Sequence, residues 1–275
     1  MNKINLKNLV TAHFSEAKNY WKFYYLCILI LFVLDILANI LESLTLIITV
    51  LTVVFVIVSQ ICKWWSVQLK NKSEVLLSKI ELHEGVGIAL DISEIVDNIS
   101  ISKRVKEKAD LDTDSNNDYW SSSTPPSGLR LAENLRESSW YTKNLSKFMF
   151  KITLCLSLTI FIFCVVVLLI AVSLNTDRSA GSFIVKIVIS VILLIFNLDT
   201  IFLSMDYFNY FIDAKKIEDK INDCLKKKTK INSNIVMELR NEYQIIRMTS
   251  PMIPDWAWKF KESGLNIMWK KYLSQ

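Results

Sequence analysis

The stretch SLTLIITVLTVVFVIVSQIC, Ser43–Cys62, contains no charged side chain. Its length is close to the ~20 residues with which an α-helix crosses the hydrocarbon core of a bilayer. Three further runs along the chain are similarly apolar: Tyr24–Leu41, Phe148–Leu174 and Phe183–Leu203. We therefore predict four transmembrane helices.

Glycine and proline are rare, with 5 Gly and 4 Pro among 275 residues, so long uninterrupted helices are expected. The chain is 52% hydrophobic and its mean hydropathy is +0.31, which is typical of an integral membrane protein. Turns at NILES around Glu42 and at NTDRSAGS, Asn175–Ser182, would join the four runs into two hairpins. The predicted fold class is an all-α integral membrane protein.

Lysine flanks the apolar runs on one side only, and this bias predicts the orientation in the membrane. The two outer turns hold a single cation, Arg178, with Lys186 just inside the fourth run. Both termini and the central region are therefore expected in the cytoplasm, with Trp21, Trp64 and Trp65 at the membrane interface. The flanking cations on the cytoplasmic side are Lys3, Lys7, Lys18, Lys22, Lys63, Lys70, Lys72, Lys143, Lys147, Lys151, Lys215 and Lys216.

Four segments follow from this topology. Residues 1–62 form a cytoplasmic arm and the first hairpin, 63–147 a cytoplasmic helical insert, 148–205 the second hairpin and 206–275 cytoplasmic C-terminal helices. The insert and the C-terminal region are expected to pack into one helical domain, because their apolar residues recur at helical spacing. Two such series are Ile217, Ile221 and Leu225, and Ile231, Ile235, Leu239 and Ile246.

Four polar side chains interrupt the first and fourth apolar runs: Asp35, Asn39, Asn197 and Asp199. Burying a carboxylate in hydrocarbon is costly, so such residues face a bundle interior or water. One interpretation is that they line a pore between subunits. The other is that they form hydrogen bonds between helices, or that the first span ends before Asp35.

The segment DYWSSSTPPSGLRLAENLRESSWYTKNL, Asp118–Leu145, is the candidate ligand-binding region. Leu131, Leu135 and Leu145 can pack inward, which leaves cations and aromatic rings facing outward. Arginine beside aromatic rings suits stacked bases and phosphates. The alternative is a helix of a cytoplasmic bundle that pairs internally through Glu133 and Glu137. The candidate ligand-binding residues are Trp120, Arg130, Arg136, Trp140 and Lys143.

No motif of an enzyme is present. The sequence has no glycine-rich phosphate loop, and HEGVG, His83–Gly87, lacks the second histidine of a metal-binding helix. The 5 cysteines show no paired ligand spacing. We predict no catalytic activity, no cofactor and no metal site.

Three features carry a resemblance to a known family: two hairpins around a cytoplasmic insert, the segment Asp118–Leu145, and the ending SPMIPDWAWKFKESGLNIMW, Ser250–Trp269. In these features the chain resembles the SLATT-related four-transmembrane effectors, the predicted pore-forming proteins of bacterial conflict systems. Within that group the chain is similar to the membrane effectors of Hailong-type antiphage systems. The resemblance covers nearly the whole chain.

What the resemblance implies is an effector of the bacterial inner membrane that harms the infected cell when its pore opens. Its channel would be a homo-oligomer, for which we expect a tetramer. A nucleotide or a short single-stranded DNA oligomer would control it, made by a nucleotidyltransferase-like partner encoded nearby. The alternative function is a non-conducting membrane scaffold or sensor that recruits a partner through its cytoplasmic helices.

Replacement of both candidate arginines, Arg130→Ala with Arg136→Ala, is expected to weaken ligand control because two phosphate contacts would be lost. Binding of a labelled single-stranded oligonucleotide to the purified protein measures this. Unchanged affinity in the double variant would contradict the assignment of these arginines.

Overall fold

A computed structural model describes residues 6–90, 105, 107, 120–173, 188–189, 191, 200–226 and 232–274. Within these residues the chain is all-helical, with no strand. The six helices are α1 (Leu6–Ile40), α2 (Thr45–Val86), α3 (Gly128–Ser173), α4 (Thr200–Lys226), α5 (Ser233–Thr249) and α6 (Asp255–Leu273).

Helices α1, α2 and α3 are long and apolar enough to cross a membrane. A short 3₁₀ turn, Glu42–Leu44, joins α1 to α2 and confirms the first predicted turn. The predicted second turn, Asn175–Ser182, lies outside the described residues, as does most of the fourth predicted run, Phe183–Leu203. Among the described residues three of the four predicted spans are thus matched by such helices, and the fourth stays a prediction.

The chain divides into two units. The polar unit contains residues 1–18, 67–149 and 206–275, and the apolar unit contains residues 19–66 and 150–205. Helices α1 to α4 each contribute residues to both units, without a break in the helix.

The apolar unit presents aliphatic side chains on its outside. Leu46 is 79% exposed, and many Val, Ile, Leu and Phe side chains of α2 and α3 are also exposed. A contiguous apolar surface of this kind is stable against hydrocarbon and unstable in water.

Aromatic rings gather where the apolar runs of α1 and α2 meet lysine. Tyr20 stacks on Trp65 with ring centroids 6.5 Å apart, and Trp21 meets Tyr25 edge-on at 4.6 Å. Lys63 Nζ lies 5.4 Å from the ring centroid of Tyr24. This combination is typical of the belt that anchors a helix at a membrane surface.

The polar unit has apolar clusters that join its helices. Leu131 and Leu135 of α3 pack with Ile217 and Ile221 of α4, so these inward-facing predictions are confirmed. On α5 the predicted series is wrong at Ile235, whose side chain is exposed. Leu239 of that series is buried as predicted, and the other buried residues of α5 are Val236, Arg240, Tyr243, Gln244 and Arg247.

Two glycines shape the junction between α2 and α3. Gly87 ends α2 with φ +82°, a left-handed conformation that favours glycine, and its N–H donates to the carbonyl of His83 at 3.0 Å. A Cβ on Gly85 would lie 2.8 Å from Leu131 Cδ1, so a side chain there would require Leu131 to shift. Ser127 Oγ accepts from the N–H of Arg130 at 3.3 Å and caps the start of α3.

His13 of α1 is buried in the polar unit. Neither of its ring nitrogens has a hydrogen-bond partner among the described residues. Burial, and secondly the charge of Lys72, lower the pKa of His13 from 6.5 to about 4. The ring is therefore neutral at pH 7 and resists protonation in the folded protein.

The stability of the protein should fall as the pH drops from 6.5 towards 4, because the unfolded chain then binds a proton that the folded chain excludes. Each pH unit within this window costs up to about 1.4 kcal/mol. The variant His13→Leu should lose this component of the pH dependence. Unfolding temperatures in detergent at pH 7 and pH 5 measure it, and an equal drop in both proteins would contradict the assignment.

Candidate functional site

The two tryptophans expected to face outward lie inside the polar unit, so that expectation is wrong. Trp120 is 4% exposed, belongs to a cluster with Leu9 and Leu76, and donates from Nε1 to Ser138 Oγ at 2.9 Å. Trp140 is 5% exposed and packs on Trp269 with ring centroids 5.2 Å apart. Neither ring offers a free face on which a base could stack.

The three predicted cations have different surroundings. Lys143 pairs with the buried Glu218 at 2.5 Å. Arg136 lies over the ring of Trp269 at 5.8 Å, beside a hollow of about 200 Å³. Arg130 is half-buried, and Nε of both arginines lacks a hydrogen-bond partner among the described residues.

The serines of the loop bind the two glutamates of α3. Glu133 Oε2 accepts from Ser122 Oγ at 2.6 Å and from Thr124 Oγ1 at 2.7 Å. Glu137 Oε2 accepts from Ser121 Oγ at 2.6 Å and from the backbone N–H of Ser121 at 2.9 Å. These bonds hold the loop against α3.

The four candidate pore residues are described only in part. Asp35 is exposed on α1. The side chain of Asn39, and all of Asn197 and Asp199, lie outside the described residues.

A cavity within the polar unit has a volume of about 770 Å³. This is within the range of small-molecule binding sites, roughly 300–1,000 Å³. Helices α1 to α6 and the α5–α6 connection all contribute to its wall. Its aromatic side chains are Phe14, Tyr141, Tyr210, Tyr243 and Trp258.

The charged side chains of this cavity carry a net positive charge, since four are cations and two are acids. The acids are already paired: Asp255 with Lys18, and Glu74 with Arg247 at 2.5 Å. The cations are Lys18, Lys70, Arg247 and Lys259. Lys70 and Lys259 therefore supply the positive charge that an anionic ligand would meet.

Lys70 caps the end of α5. Its ammonium group donates to the carbonyl oxygens of Met248, at 3.0 Å, and Ser250. Burial lowers the pKa of Lys70 to about 8, while the charge of Glu74 raises it and that of Arg247 lowers it. Lys70 is thus protonated at neutral pH, but a small further decrease of its pKa would deprotonate it.

A buried ionic network behind the cavity wall fixes α5 against α2. Arg247 donates from Nη2 to Glu74 Oε2 and from Nη1 to Glu81 Oε1, both at 2.5 Å. Arg240 donates to the carbonyl of Ser78 at 2.5 Å, and its Nε lies 3.7 Å from Glu81. Each buried charge thereby has an opposite charge or a hydrogen bond, as burial requires.

The phenol of Tyr243 extends this polar interior to α3. Its hydroxyl donates to the carbonyl of Ser138 at 3.0 Å and lies 2.7 Å from Thr142 Oγ1. Burial raises the pKa of Tyr243 well above its usual value, so the group stays neutral.

Sequence reasoning missed this cavity because it searched for apolar stripes and outward-facing cations. The sequence did contain charged and polar residues at helical spacing: Glu74, Ser78 and Glu81 on α2, and Arg240, Gln244 and Arg247 on α5. Opposite charges on two helices indicate a possible pair, but the spacing does not show that the pair is buried.

Loss of the central arginine in Arg247→Met should destabilise the polar unit by about 3–5 kcal/mol, because Glu74 and Glu81 would keep buried charges without their main partner. The double variant Arg247→Met with Glu74→Leu should recover part of this loss. Denaturant titration in detergent measures both.

A matched control is the exposed pair of Lys220 and Glu242, which also joins two helices, at 2.7 Å. Lys220→Met should cost less than about 1 kcal/mol. Equal losses for Arg247→Met and Lys220→Met would contradict the structural role of the buried network.

Comparisons of the chain with protein-family models, with curated proteins and with solved structures found no match. The chemistry of the candidate site is defined by its own side chains, which are two available cations, two paired acids and five aromatic rings around one cavity. Such a site fits an anionic ligand with a flat apolar part.

Proposed function

We propose that the protein is a ligand-gated channel of the bacterial inner membrane, an effector of antiphage defence that assembles as a homo-oligomer. Its ligand is a nucleotide or a short single-stranded DNA oligomer, made by a nucleotidyltransferase-like partner. The termini and the central insert face the cytoplasm, where the ligand is available.

One observation carries this proposal: four helices that line the cavity also extend into the apolar unit. Phe14 and Lys18 come from α1, Lys70 from α2, Tyr141 from α3 and Tyr210 from α4. Small shifts of packed helices at an effector site can be amplified into larger movements elsewhere. A ligand in this cavity therefore contacts the same helices that cross the membrane.

The side chains of the cavity suit a nucleotide in two respects. Lys70 and Lys259 can bind phosphate oxygens by charge-assisted hydrogen bonds. The rings of Tyr141 and Trp258, whose centroids are 5.6 Å apart, form an aromatic surface at the wall. Bases stack on such rings with little preference for sequence.

The conducting path proposed here lies on the symmetry axis of the oligomer. Asp35, Asn39, Asn197 and Asp199 would face that axis and attract cations, since intramembrane polar groups typically line a water-filled path. A ligand controls such a path only through different affinities for the open and the closed state.

Ion flux through liposomes that contain the purified protein, with and without short single-stranded oligonucleotides, tests the proposal. Flux should change when oligonucleotide is added.

Lys259→Gln should raise the oligonucleotide concentration that gives half of the effect on flux by roughly tenfold, because one phosphate contact is lost. Lys271→Gln, on the same helix but away from the cavity, serves as the control and should behave as the wild type.

The variant Asp199→Asn tests the pore separately, since it should alter flux without altering oligonucleotide binding. If the folded protein binds oligonucleotide but conducts in no condition, the non-conducting scaffold or sensor replaces the channel. If neither binding nor flux occurs, the ligand proposal is overturned as well.

Oligonucleotide affinity should decrease as the pH rises through about 8, because Lys70 then loses its proton and its attraction for phosphate. Below this pH the ammonium form is present and binding is strongest. Lys70→Gln should bind weakly at every pH from 7 to 9 and show no such decrease. An equal decrease in the variant would assign the pH dependence to another group.

A further inference from the structure

Two large apolar side chains are exposed at the start of α6. Trp256 is 51% exposed and Phe260 is 69% exposed. They lie one helical turn apart and therefore on the same face of the helix. Two adjacent apolar rings exposed to water are unfavourable, and such a patch typically marks a surface that binds a partner or a membrane.

Both rings contact Phe148 of α3. Phe260 stacks on Phe148 with centroids 5.7 Å apart and planes inclined by 11°, and Trp256 meets the same ring edge-on at 6.2 Å. The three rings form one aromatic patch, defined here as Phe148, Trp256 and Phe260.

Phe148 lies where α3 changes from a polar, lysine-containing segment to an apolar run. Lys143 and Lys147 precede it, whereas the run from Phe148 to Leu174 carries Lys151 as its single charged residue. Further along this run Leu156 and Leu158 are half exposed. Phe148 of the aromatic patch is thus the first residue of the apolar run with which α3 would enter a bilayer.

A cation accompanies the aromatic patch. Lys261 Nζ lies 4.5 Å from the ring centroid of Phe148 and 5.5 Å from that of Phe260. Aromatic rings and lysine are enriched together at the level of lipid headgroups, where the ring is half apolar and the ammonium group reaches phosphate.

We propose that the aromatic patch inserts into the interface of the bilayer that α3 crosses, and that Lys261 binds the headgroup of an anionic phospholipid there. This lipid site is separate from the cavity and does not depend on channel activity. A bilayer is favoured over a second copy of the chain because Phe148 begins the apolar run of α3 and Lys261 lies beside the rings.

The opposite end of α6 provides a matched control. Ile267 is 68% exposed, as Phe260 is, and lies on the same face about 10 Å further along the helix. Near it Trp269 packs on Trp140, which precedes Phe148 by two turns of α3. Ile267 should therefore lie outside the lipid layer.

The test places the photoreactive residue benzoylphenylalanine at position 260 or at position 267 of the full chain, reconstituted in vesicles of phosphatidylcholine and phosphatidylglycerol. After illumination, mass spectrometry identifies the adducts. Lipid adducts are expected at 260 and not at 267. No lipid adduct at 260, equal adducts at both positions, or a crosslinked dimer of the chain at 260 would overturn the proposal.

The role of Lys261 is tested in the same vesicles. Adducts at 260 should be enriched in phosphatidylglycerol over its share of the bilayer by about fivefold, the effect of one cation near an anionic surface. Lys261→Gln should abolish this enrichment, whereas Lys270→Gln at the far end of α6 should leave it unchanged. Enrichment that persists in Lys261→Gln would overturn the headgroup site.

Discussion

The buried pairing of Arg247 with Glu74 and Glu81 is the interaction on which the polar unit depends. Two bonds of 2.5 Å from one guanidinium group join α5 to α2, and Arg247 also lines the cavity. A buried ion pair adds little net stability, but breaking it is costly because the remaining charge has no water around it. The network therefore fixes the register of α5 on α2.

The four helices α1 to α4 continue from this polar unit into the apolar unit. The helices α1, α2 and α3 are each longer than a single crossing requires, so their polar ends remain to build the second unit. The cavity thus lies among extensions of the apolar helices and needs no separate linker. The few glycines and prolines of the chain are consistent with this continuity, because no residue of these helices interrupts them.

The candidate site could be predicted only in part, and Trp120 and Trp140 show why. Tryptophan beside arginine is compatible both with a ligand surface and with a core, since its ring is apolar and its indole N–H is polar. The structure places both rings in the interior, where the indole of Trp120 bonds to Ser138. The cavity in which we propose the ligand to bind draws on six helices, and the spacing of residues within one helix does not indicate such an assembly.

The sequence by itself determined the helical class, the long apolar helices and the aromatic residues at their ends, because backbone groups in hydrocarbon must bond within a helix and hydropathy records this directly. Only the tertiary structure decided which polar residues are inside. Ile235 is exposed while Arg240 and Arg247 are buried, because Glu81 and Glu74 on another helix neutralise them. Burial of a charge depends on its partner in space, which the chain order does not specify.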